Sequence, residues 1–359
     1  MSAVAASGPP SAVLCGLGGW LPSRVVTNEH LARRLDTDDA WIRTRTGIRQ
    51  RHVVDPGQAT SDLAVEAGRR ALASAGTGRV DAVVVATSTP DHICPATAPA
   101  VAARLGLAGV AAFDVSAVCT GFVYGLASAA GLIAAGLAER VLLIGADTYS
   151  TIVDPLDRAN AIIFGDGAGA VVLRAGRVDE PGAVGHFDLG SDGDHTEMIT
   201  VAAGGSRQRS RPGEPSRRER HFSMDGKAVY RHAVTRMAQS ARTTLSRAGW
   251  KIDDVDHFVP HQANLRILHS AADDLGLPRD RCAMHVEDIG NTGAASIPLA
   301  LADAAGRGAL LPGDRLLLTA FGGGLTWGSC LLTWPELAVP AHSFGQPAHS
   351  FDQGEHETS

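Results

Sequence analysis

The sequence has few cysteines and few aromatic residues, and the cysteine pattern excludes two classes of protein. Five cysteines are scattered over 359 residues, an odd number with no Cys-x-x-Cys pair. They therefore indicate neither a disulfide framework nor a zinc site, and they favour a reduced, cytoplasmic protein. The first ten residues carry neither the basic nor the apolar segment of a signal peptide, which agrees with that location.

Positive charge is also in short supply. The formal net charge is -6, so the chain has no global basic field of the kind that binds nucleic acid. With 45% hydrophobic and 19% charged residues, the composition is that of a globular protein with one large domain or two ordinary ones. We therefore expect small-molecule or acidic-protein partners that bind through local patches.

Charge is absent altogether between Val115 and Ala138. This stretch is long enough to cross a bilayer, which takes about 20 apolar residues. It nevertheless contains Ser116, Thr120, Ser128 and several glycines, and strand-like runs lie on both sides of it. These features favour a helix buried between two layers of a soluble protein over a membrane span.

Cys119 lies just before the alanine- and glycine-rich body of this helix, from Tyr124 to Leu137. The free N–H groups and partial positive charge at a helix N-terminus lower a thiol pKa and can also hold an oxyanion. Cys119 is therefore a candidate covalent nucleophile, and it needs a partner from elsewhere in the chain.

The two halves of the chain repeat one order of elements. Arg69–Ala86 and Arg242–His261 share one pattern: a helix, a break at Ala-Gly, the pair Val-Asp, and then a buried strand. Two further echoes pair Arg140–Ala146 with Arg315–Ala320, and Phe164–Leu173 with Phe321–Leu332. Aliphatic strands alternating with alanine-rich helices indicate sheets covered on both faces, so the repeat predicts a duplicated α/β fold of five layers, αβαβα. The active site is expected at the seam between the halves.

Two segments fall outside the repeat. Gly204 to His221 carries six arginines among prolines and glycines, and we interpret it as a solvated surface loop, with a specific partner site as the alternative. Pro335 to Ser359 is expected to be a disordered tail. The predicted divisions are thus 1–180 with the cysteine, 181–334, and 335–359.

Two segments of the second half are candidates to assist Cys119. Val259–Arg266 holds His261 just after a strand, and Gly290–Ser296 holds Asn291 before an alanine-rich helix. A histidine and an amide are both hydrogen-bond donors for a developing oxyanion. Glycine-rich Phe164–Ala170 lacks the spacing of a dinucleotide-binding loop, so we interpret it as tight backbone packing at the seam.

Several segments in this order resemble the β-ketoacyl-acyl-carrier-protein synthase III family of thiolase-like condensing enzymes, over about Val13 to Thr333. The specific segments are Trp41–Arg49, Asp114–Phe122, Phe164–Ala170, Val259–Ile267, Gly290–Pro298 and Phe321–Gly328. The resemblance implies the thiolase-like duplicated αβαβα fold, a cytoplasmic homodimer, and no metal or organic cofactor, because CoA arrives as part of the substrate.

The resemblance also implies a reaction. Cys119 takes an acyl group from acyl-CoA, and malonyl-acyl carrier protein then loses CO2 to give an enolate that is held by His261 and Asn291. The enolate attacks the acyl-cysteine in a Claisen condensation that starts fatty-acid or polyketide chains. The N–H groups of Cys119 and Gly323 form the oxyanion hole for the acyl transfer.

Substrate-binding residues are implied by the same resemblance. Trp41, Arg45 and Arg158 match positions that bind CoA in the family, and Asn264 matches a position near the pantetheine arm. Arg266 and Arg231 match positions that receive the carrier protein. Cys94 and Phe321 match positions of the acyl pocket. Cys94 replaces a phenylalanine of some members in a loop that lines the partner's pocket, which suggests a roomier pocket for branched or longer starters. Two alternatives remain: a non-decarboxylating acyltransferase of the same fold, and a non-catalytic partner subunit.

Overall fold

The computed structural model describes residues 10–338, which form a mixed α/β fold. The strands are β1 Ser11–Trp20, β2 Arg24–Thr27, β3 Gln50–Val53, β4 Ala82–Ala86, β5 Ala111–Val115, β6 Arg140–Thr148, β7 Asp166–Gly176, β8 Ala183–Ser191, β9 Ile199–Thr200, β10 Ser223–Met224, β11 His257–Pro260, β12 Arg315–Gly322 and β13 Thr326–Thr333. The helices are α1 Asn28–Ala32, α2 Asp39–Thr46, α3 Thr60–Ser74, α4 Ala98–Arg104, α5 Gly121–Ala134, α6 Arg158–Ala161, α7 Ser206–Arg209, α8 Arg217–Arg220, α9 Gly226–Ala248, α10 Leu265–Leu275, α11 Val286–Ile289 and α12 Ser296–Gly306.

The main sheet consists of two half-sheets joined edge to edge. Strands of the first half run in the order β5-β4-β6-β7-β1, and those of the second half run β8-β13-β12-β11. The two halves meet where β1 pairs with β8, at Ala12 with Val184 and Val13 with Ala183. Every residue of β4 is buried, as expected for an aliphatic strand covered on both faces.

Helices cover these half-sheets in the predicted five layers. The outer helix α3 packs on β1, β6 and β7, and α9 packs on β8, β12 and β13 in the corresponding place. Helices α5 and α12 contact strands of both halves and form the middle layer. The predicted αβαβα fold is therefore confirmed, and the proposed division at 180/181 lies in the turn between β7 and β8.

Small residues allow this middle layer to approach the strands closely. A Cβ on Gly125 of α5 would lie 2.5 Å from a methyl group of Leu143 in β6. A Cβ on Gly169 of β7 would likewise lie 2.7 Å from Cβ of Pro298 in α12. The abundance of glycine and alanine thus follows from helices packed between two sheets.

The arginine-rich insertion is more regular than we predicted. Residues 206–209 and 217–220 form the short helices α7 and α8, and Ser216 and Glu219 make a reciprocal capping box at the second. Arg217 also pairs with Asp154 through two hydrogen bonds of 2.8 and 2.9 Å. The prediction of a loop without elements is wrong, because these local polar contacts stabilise two helical turns, although the six arginines are exposed as expected.

Two further expectations concern the C-terminal tail and the uncharged stretch from Val115 to Ala138. The tail predicted from residue 335 falls mostly on 339–359, outside the described residues. In residues 10–338 no helix is long and apolar enough to cross a membrane, and α5 spans only Gly121–Ala134 of the uncharged stretch.

Candidate active site

A cavity of about 610 Å³ opens at the seam between the two halves. The first half contributes Cys119 and Phe164 to its wall, and the second half contributes His261, Asn291 and Phe321. The three residues proposed for chemistry thus line one cavity, although Cys119 and His261 are 142 positions apart in the sequence. The turn that holds Cys119 packs against β12 and against residues 293–295, which lie between Asn291 and α12, and this packing brings the two halves together.

Cys119 lies in a tight turn ahead of the central helix. A 3₁₀ turn, Val118–Thr120, leads directly into α5. Val118 has a φ of 49°, a left-handed conformation that is strained for a β-branched residue and is found mainly where function demands it. Cys119 therefore lies at the N-terminal end of a buried helix, as predicted.

The glycine turn after β12 borders the backbone of Cys119. A Cβ on Gly322 would lie 2.8 Å from the Cys119 nitrogen, so only glycine permits this approach. Thr326 joins the two turns, since its hydroxyl oxygen lies 3.2 Å from the Ala117 carbonyl oxygen and 3.1 Å from the Gly323 carbonyl oxygen, within hydrogen-bonding distance of both. Gly323 therefore lies in the turn beside the nucleophile, a place that suits a second backbone donor.

The pKa of Cys119 is raised, whereas the sequence analysis expected it to be lowered. Burial of the thiol raises its pKa to about 12, and the nearby carboxyl group of Asp147 acts in the same sense, whereas the Tyr149 hydroxyl lowers it. The prediction of a lowered pKa is wrong, because desolvation outweighs the favourable helix end. With a pKa of about 12, Cys119 is predominantly a thiol at neutral pH.

Asp147 is a buried acid that the sequence analysis did not identify. Its carboxyl group accepts hydrogen bonds from the N–H groups of Ser88 and Ala294 at 2.7 and 2.8 Å, and from the hydroxyls of Thr87 and Thr89. Burial raises its pKa to about 7. The sequence did hold a sign of this residue, because Asp147 is an acidic residue near the carboxyl end of the aliphatic strand β6.

His261 and Asn291 are both held by hydrogen bonds. Nδ1 of His261 lies 2.7 Å from the Ser296 hydroxyl, and burial lowers the pKa of the imidazole to about 3, so the ring is neutral. Oδ1 of Asn291 accepts from the Gly293 N–H at 2.9 Å, which leaves the Nδ2 amide available for a ligand. Both side chains can therefore act as uncharged donors.

Aromatic rings near the nucleophile form a cluster that the sequence analysis missed. Tyr149 stacks on Phe164 with ring centroids 4.5 Å apart, and Phe222 contacts Phe164 edge-on at 4.8 Å. Phe164 and Phe222 line the cavity, together with Ile199 and Met224 of the small β9–β10 sheet. The interior is therefore apolar, as an acyl chain requires.

Polar and cationic residues surround the mouth. The guanidinium groups of Arg45 and Arg158 lie 5.4 and 5.0 Å from the centroid of the Trp41 ring. Asn264 lines the cavity and also caps α10, where its side chain accepts from the Ile267 N–H. Exposed Arg231 and Arg266 belong to the same rim.

One expected residue lies elsewhere in this chain. Cys94 is exposed and does not line the cavity of its own subunit, whereas Phe321 does. A place for Cys94 in a partner's pocket stays a prediction. Among residues 10–338, no group of three or more His, Cys, Asp or Glu side chains is arranged to hold a metal ion.

Comparisons with known proteins agree with this geometry. The family model described as 3-oxoacyl-[acyl-carrier-protein] synthase III matches residues 113–193, and the model of the C terminal of 3-oxoacyl-[acyl-carrier-protein] synthase III matches residues 245–334. The chain is 61% identical over 327 residues to beta-ketoacyl-[acyl-carrier-protein] synthase III 5 of Streptomyces coelicolor, covering 91% of this chain and 98% of that protein. It is 56% identical over 330 residues to the synthase III of Pseudomonas aeruginosa, covering 92% and 98%.

Two solved structures share the fold over nearly their full length. The 3-oxoacyl-(acyl carrier protein) synthase III of Pseudomonas aeruginosa superposes with a TM-score of 0.85 at 54% identity, covering 91% of this chain and 99% of that one. The priming β-ketosynthase of the R1128 polyketide pathway gives 0.85 at 35% identity, covering 93% and 99%. With the cysteine, histidine and asparagine in one cavity, these matches establish that the chain belongs to the β-ketoacyl-acyl-carrier-protein synthase III family of condensing enzymes.

Proposed function

We propose that the protein catalyses decarboxylative condensation of an acyl-CoA starter with malonyl-acyl carrier protein. The products are a β-ketoacyl-acyl carrier protein, CO2 and free CoA, and the reaction starts a fatty-acid or polyketide chain. The observation that carries this proposal is that Cys119, His261 and Asn291 line one cavity. A nucleophile with two neutral donors suits covalent acyl transfer followed by stabilisation of an enolate.

The first half-reaction transfers the acyl group to Cys119. The sulfur attacks the thioester carbonyl, the bond to the CoA sulfur breaks, and the thiol proton of Cys119 leaves with CoA as its thiol. The N–H groups of Cys119 and Gly323 hold the tetrahedral oxyanion in this scheme. The close approach of Gly322 to the Cys119 nitrogen supports that assignment.

The second half-reaction forms the carbon–carbon bond. Malonyl thioester loses CO2, and its carbonyl oxygen becomes an enolate oxygen that accepts hydrogen bonds from His261 and Asn291. The enolate carbon then attacks the acyl-cysteine carbonyl, the bond from that carbonyl to the Cys119 sulfur breaks, and the released thiolate takes up a proton from solvent. A neutral imidazole suits this role, since burial lowers the pKa of His261 to about 3.

The rim suits the two substrates. Trp41 with Arg45 and Arg158 offers a flat ring and two guanidinium groups for the adenine and phosphates of CoA. Asn264, on the wall of the same cavity, contacts the pantetheine arm in this proposal. Arg231 and Arg266 supply positive charge for an acidic carrier protein.

A homodimer belongs to the same proposal. Strand β5 is the edge of the main sheet in the described chain, and we propose that it pairs with the same edge of a second copy. Exposed Cys94 lies in the loop between β4 and α4, and its contact with the partner's acyl pocket belongs to this proposal.

Intact-mass spectrometry tests the proposal. The purified protein is incubated with a panel of acyl-CoAs, and malonyl-acyl carrier protein is then added. We expect a single acyl adduct that is absent in Cys119→Ala, is retained in the matched control Cys15→Ala, and disappears as β-ketoacyl carrier protein and CO2 form. An adduct that passes instead to an amine or alcohol would mean an acyltransferase, and no adduct with any starter would mean a non-catalytic subunit.

A further inference from the structure

Ser296 is in contact with the ring of His261, and the position of the ring proton depends on that contact. Ser296 opens α12, and its hydroxyl oxygen lies 2.7 Å from Nδ1 of His261. The same oxygen lies 3.3 Å from the backbone nitrogen of Gln262. Ser296 is 1% exposed and His261 is 3% exposed, so bulk water does not substitute for either bond.

The protons of this group can be assigned by counting donors. The Gln262 N–H can only donate, so the Ser296 oxygen accepts from it. The one hydroxyl proton of Ser296 then needs an acceptor, and in residues 10–338 the remaining partner of that oxygen is Nδ1 of His261. A protonated Nδ1 would leave the hydroxyl proton buried without an acceptor, which is an unfavourable arrangement. Nδ1 therefore accepts, and in the neutral ring Nε2 carries the proton.

We infer that Ser296 is a positioning residue for the condensation, because its hydroxyl holds His261 as the Nε2–H tautomer. This inference rests on the proposed function, in which His261 must donate to the enolate oxygen. In the opposite tautomer Nε2 would present a lone pair to that oxygen, and the donor would become a repulsive acceptor. Ser296 thus acts through His261 and does not touch the substrate.

The inference separates the two half-reactions. Acylation of Cys119 uses backbone donors and does not need a proton on Nε2, whereas decarboxylation of malonyl thioester does. Removal of the hydroxyl should therefore slow decarboxylation selectively. A merely structural role for Ser296 would affect both steps together.

The experiment compares Ser296→Ala with Ser296→Thr, which keeps a hydroxyl, and with Ser240→Ala, a buried serine of α9 that serves as the matched control. Acylation is followed by intact mass with acyl-CoA, and decarboxylation by CO2 release from malonyl-acyl carrier protein. We expect Ser296→Ala to reduce decarboxylation about tenfold to a hundredfold, with acylation within about threefold of wild type. Ser296→Thr should recover most of the loss, and Ser240→Ala should match wild type.

A second measurement reads the tautomer directly. Nitrogen chemical shifts of ¹⁵N-histidine-labelled protein distinguish protonated from unprotonated ring nitrogens, and His261→Asn identifies the relevant signals. Wild type should show a protonated Nε2, and Ser296→Ala should show a mixture. Unchanged decarboxylation in Ser296→Ala, equal loss of both half-reactions, or a protonated Nδ1 in wild type would each overturn the inference. Failure of wild type to release CO2 would instead refute the proposed function, and the spectrum would still decide the tautomer.

Discussion

Alkylation of Cys119 should be slow near neutral pH and should accelerate steeply with alkali. Burial and the neighbouring Asp147 raise the pKa of this thiol to about 12 from a reference value of 9.0. At pH 7, a thiol with a pKa of 12 is a thiolate in about one molecule in 10⁵, against about one in 10² for the reference value. The reactive fraction is therefore smaller by about a thousandfold.

The assay is iodoacetamide alkylation of the substrate-free enzyme between pH 6 and 10. Peptide mass spectrometry reports Cys119 and exposed Cys94 separately, so Cys94 is an internal reference for reagent concentration and quality. The logarithm of the Cys119 rate should rise by about one for each pH unit over the whole range, because only the thiolate reacts. A plateau below about pH 9 would refute the reasoning, since it would mean that the helix end outweighs burial.

A substitution at Asp147 tests the contribution of its negative charge to the raised pKa of Cys119. Asp147→Asn removes a negative neighbour, so it should lower the pKa of Cys119 and increase its alkylation rate at pH 8. Asp166→Asn is the matched control, because Asp166 is equally buried and does not act on the Cys119 thiol. Equal acceleration in both variants would indicate general loosening of the structure.

Three further predictions concern stability and partner binding. Burial lowers the pKa of His261 to about 3, so below pH 6.5 the unfolded chain binds a proton that the folded chain does not. The free energy of unfolding should therefore fall by about 1.4 kcal/mol per pH unit between pH 6.5 and 3 through this group, and urea titrations of His261→Asn should lack that component. The double variant Arg231→Glu/Arg266→Glu should raise the KM for malonyl-acyl carrier protein and leave the KM for acyl-CoA unchanged, and the rise should be smaller at high salt. An equal rise in both KM values would contradict carrier-protein docking at these arginines. Gly145→Ala would press a Cβ against a backbone carbonyl oxygen and should lower the free energy of unfolding by about 1–3 kcal/mol. Gly131→Ala, where space is open, should not lower it, and thermal unfolding measures both variants.

The fold was predictable because its signals are local and repeated. The predicted buried strand ends at Ala86, as β4 does, and the paired echoes begin at Arg140 and Arg315, the first residues of β6 and β12. The insertion was misjudged although its signal was present, since Ser216 followed by Glu219 is the spacing of a capping box.

The sequence by itself determined the duplicated layers and placed Cys119, His261 and Asn291 in three segments, because strand patterns, helix starts and motif spacing depend on neighbouring residues. Only the tertiary structure decided the ionisation of these groups and their contacts. The raised pKa of Cys119 and the lowered pKa of His261 come from burial by both halves of the chain. The contact between His261 and Ser296 likewise joins residues 35 positions apart. Desolvation and such contacts depend on everything packed around a group, so they arise only when the two halves close over one cavity.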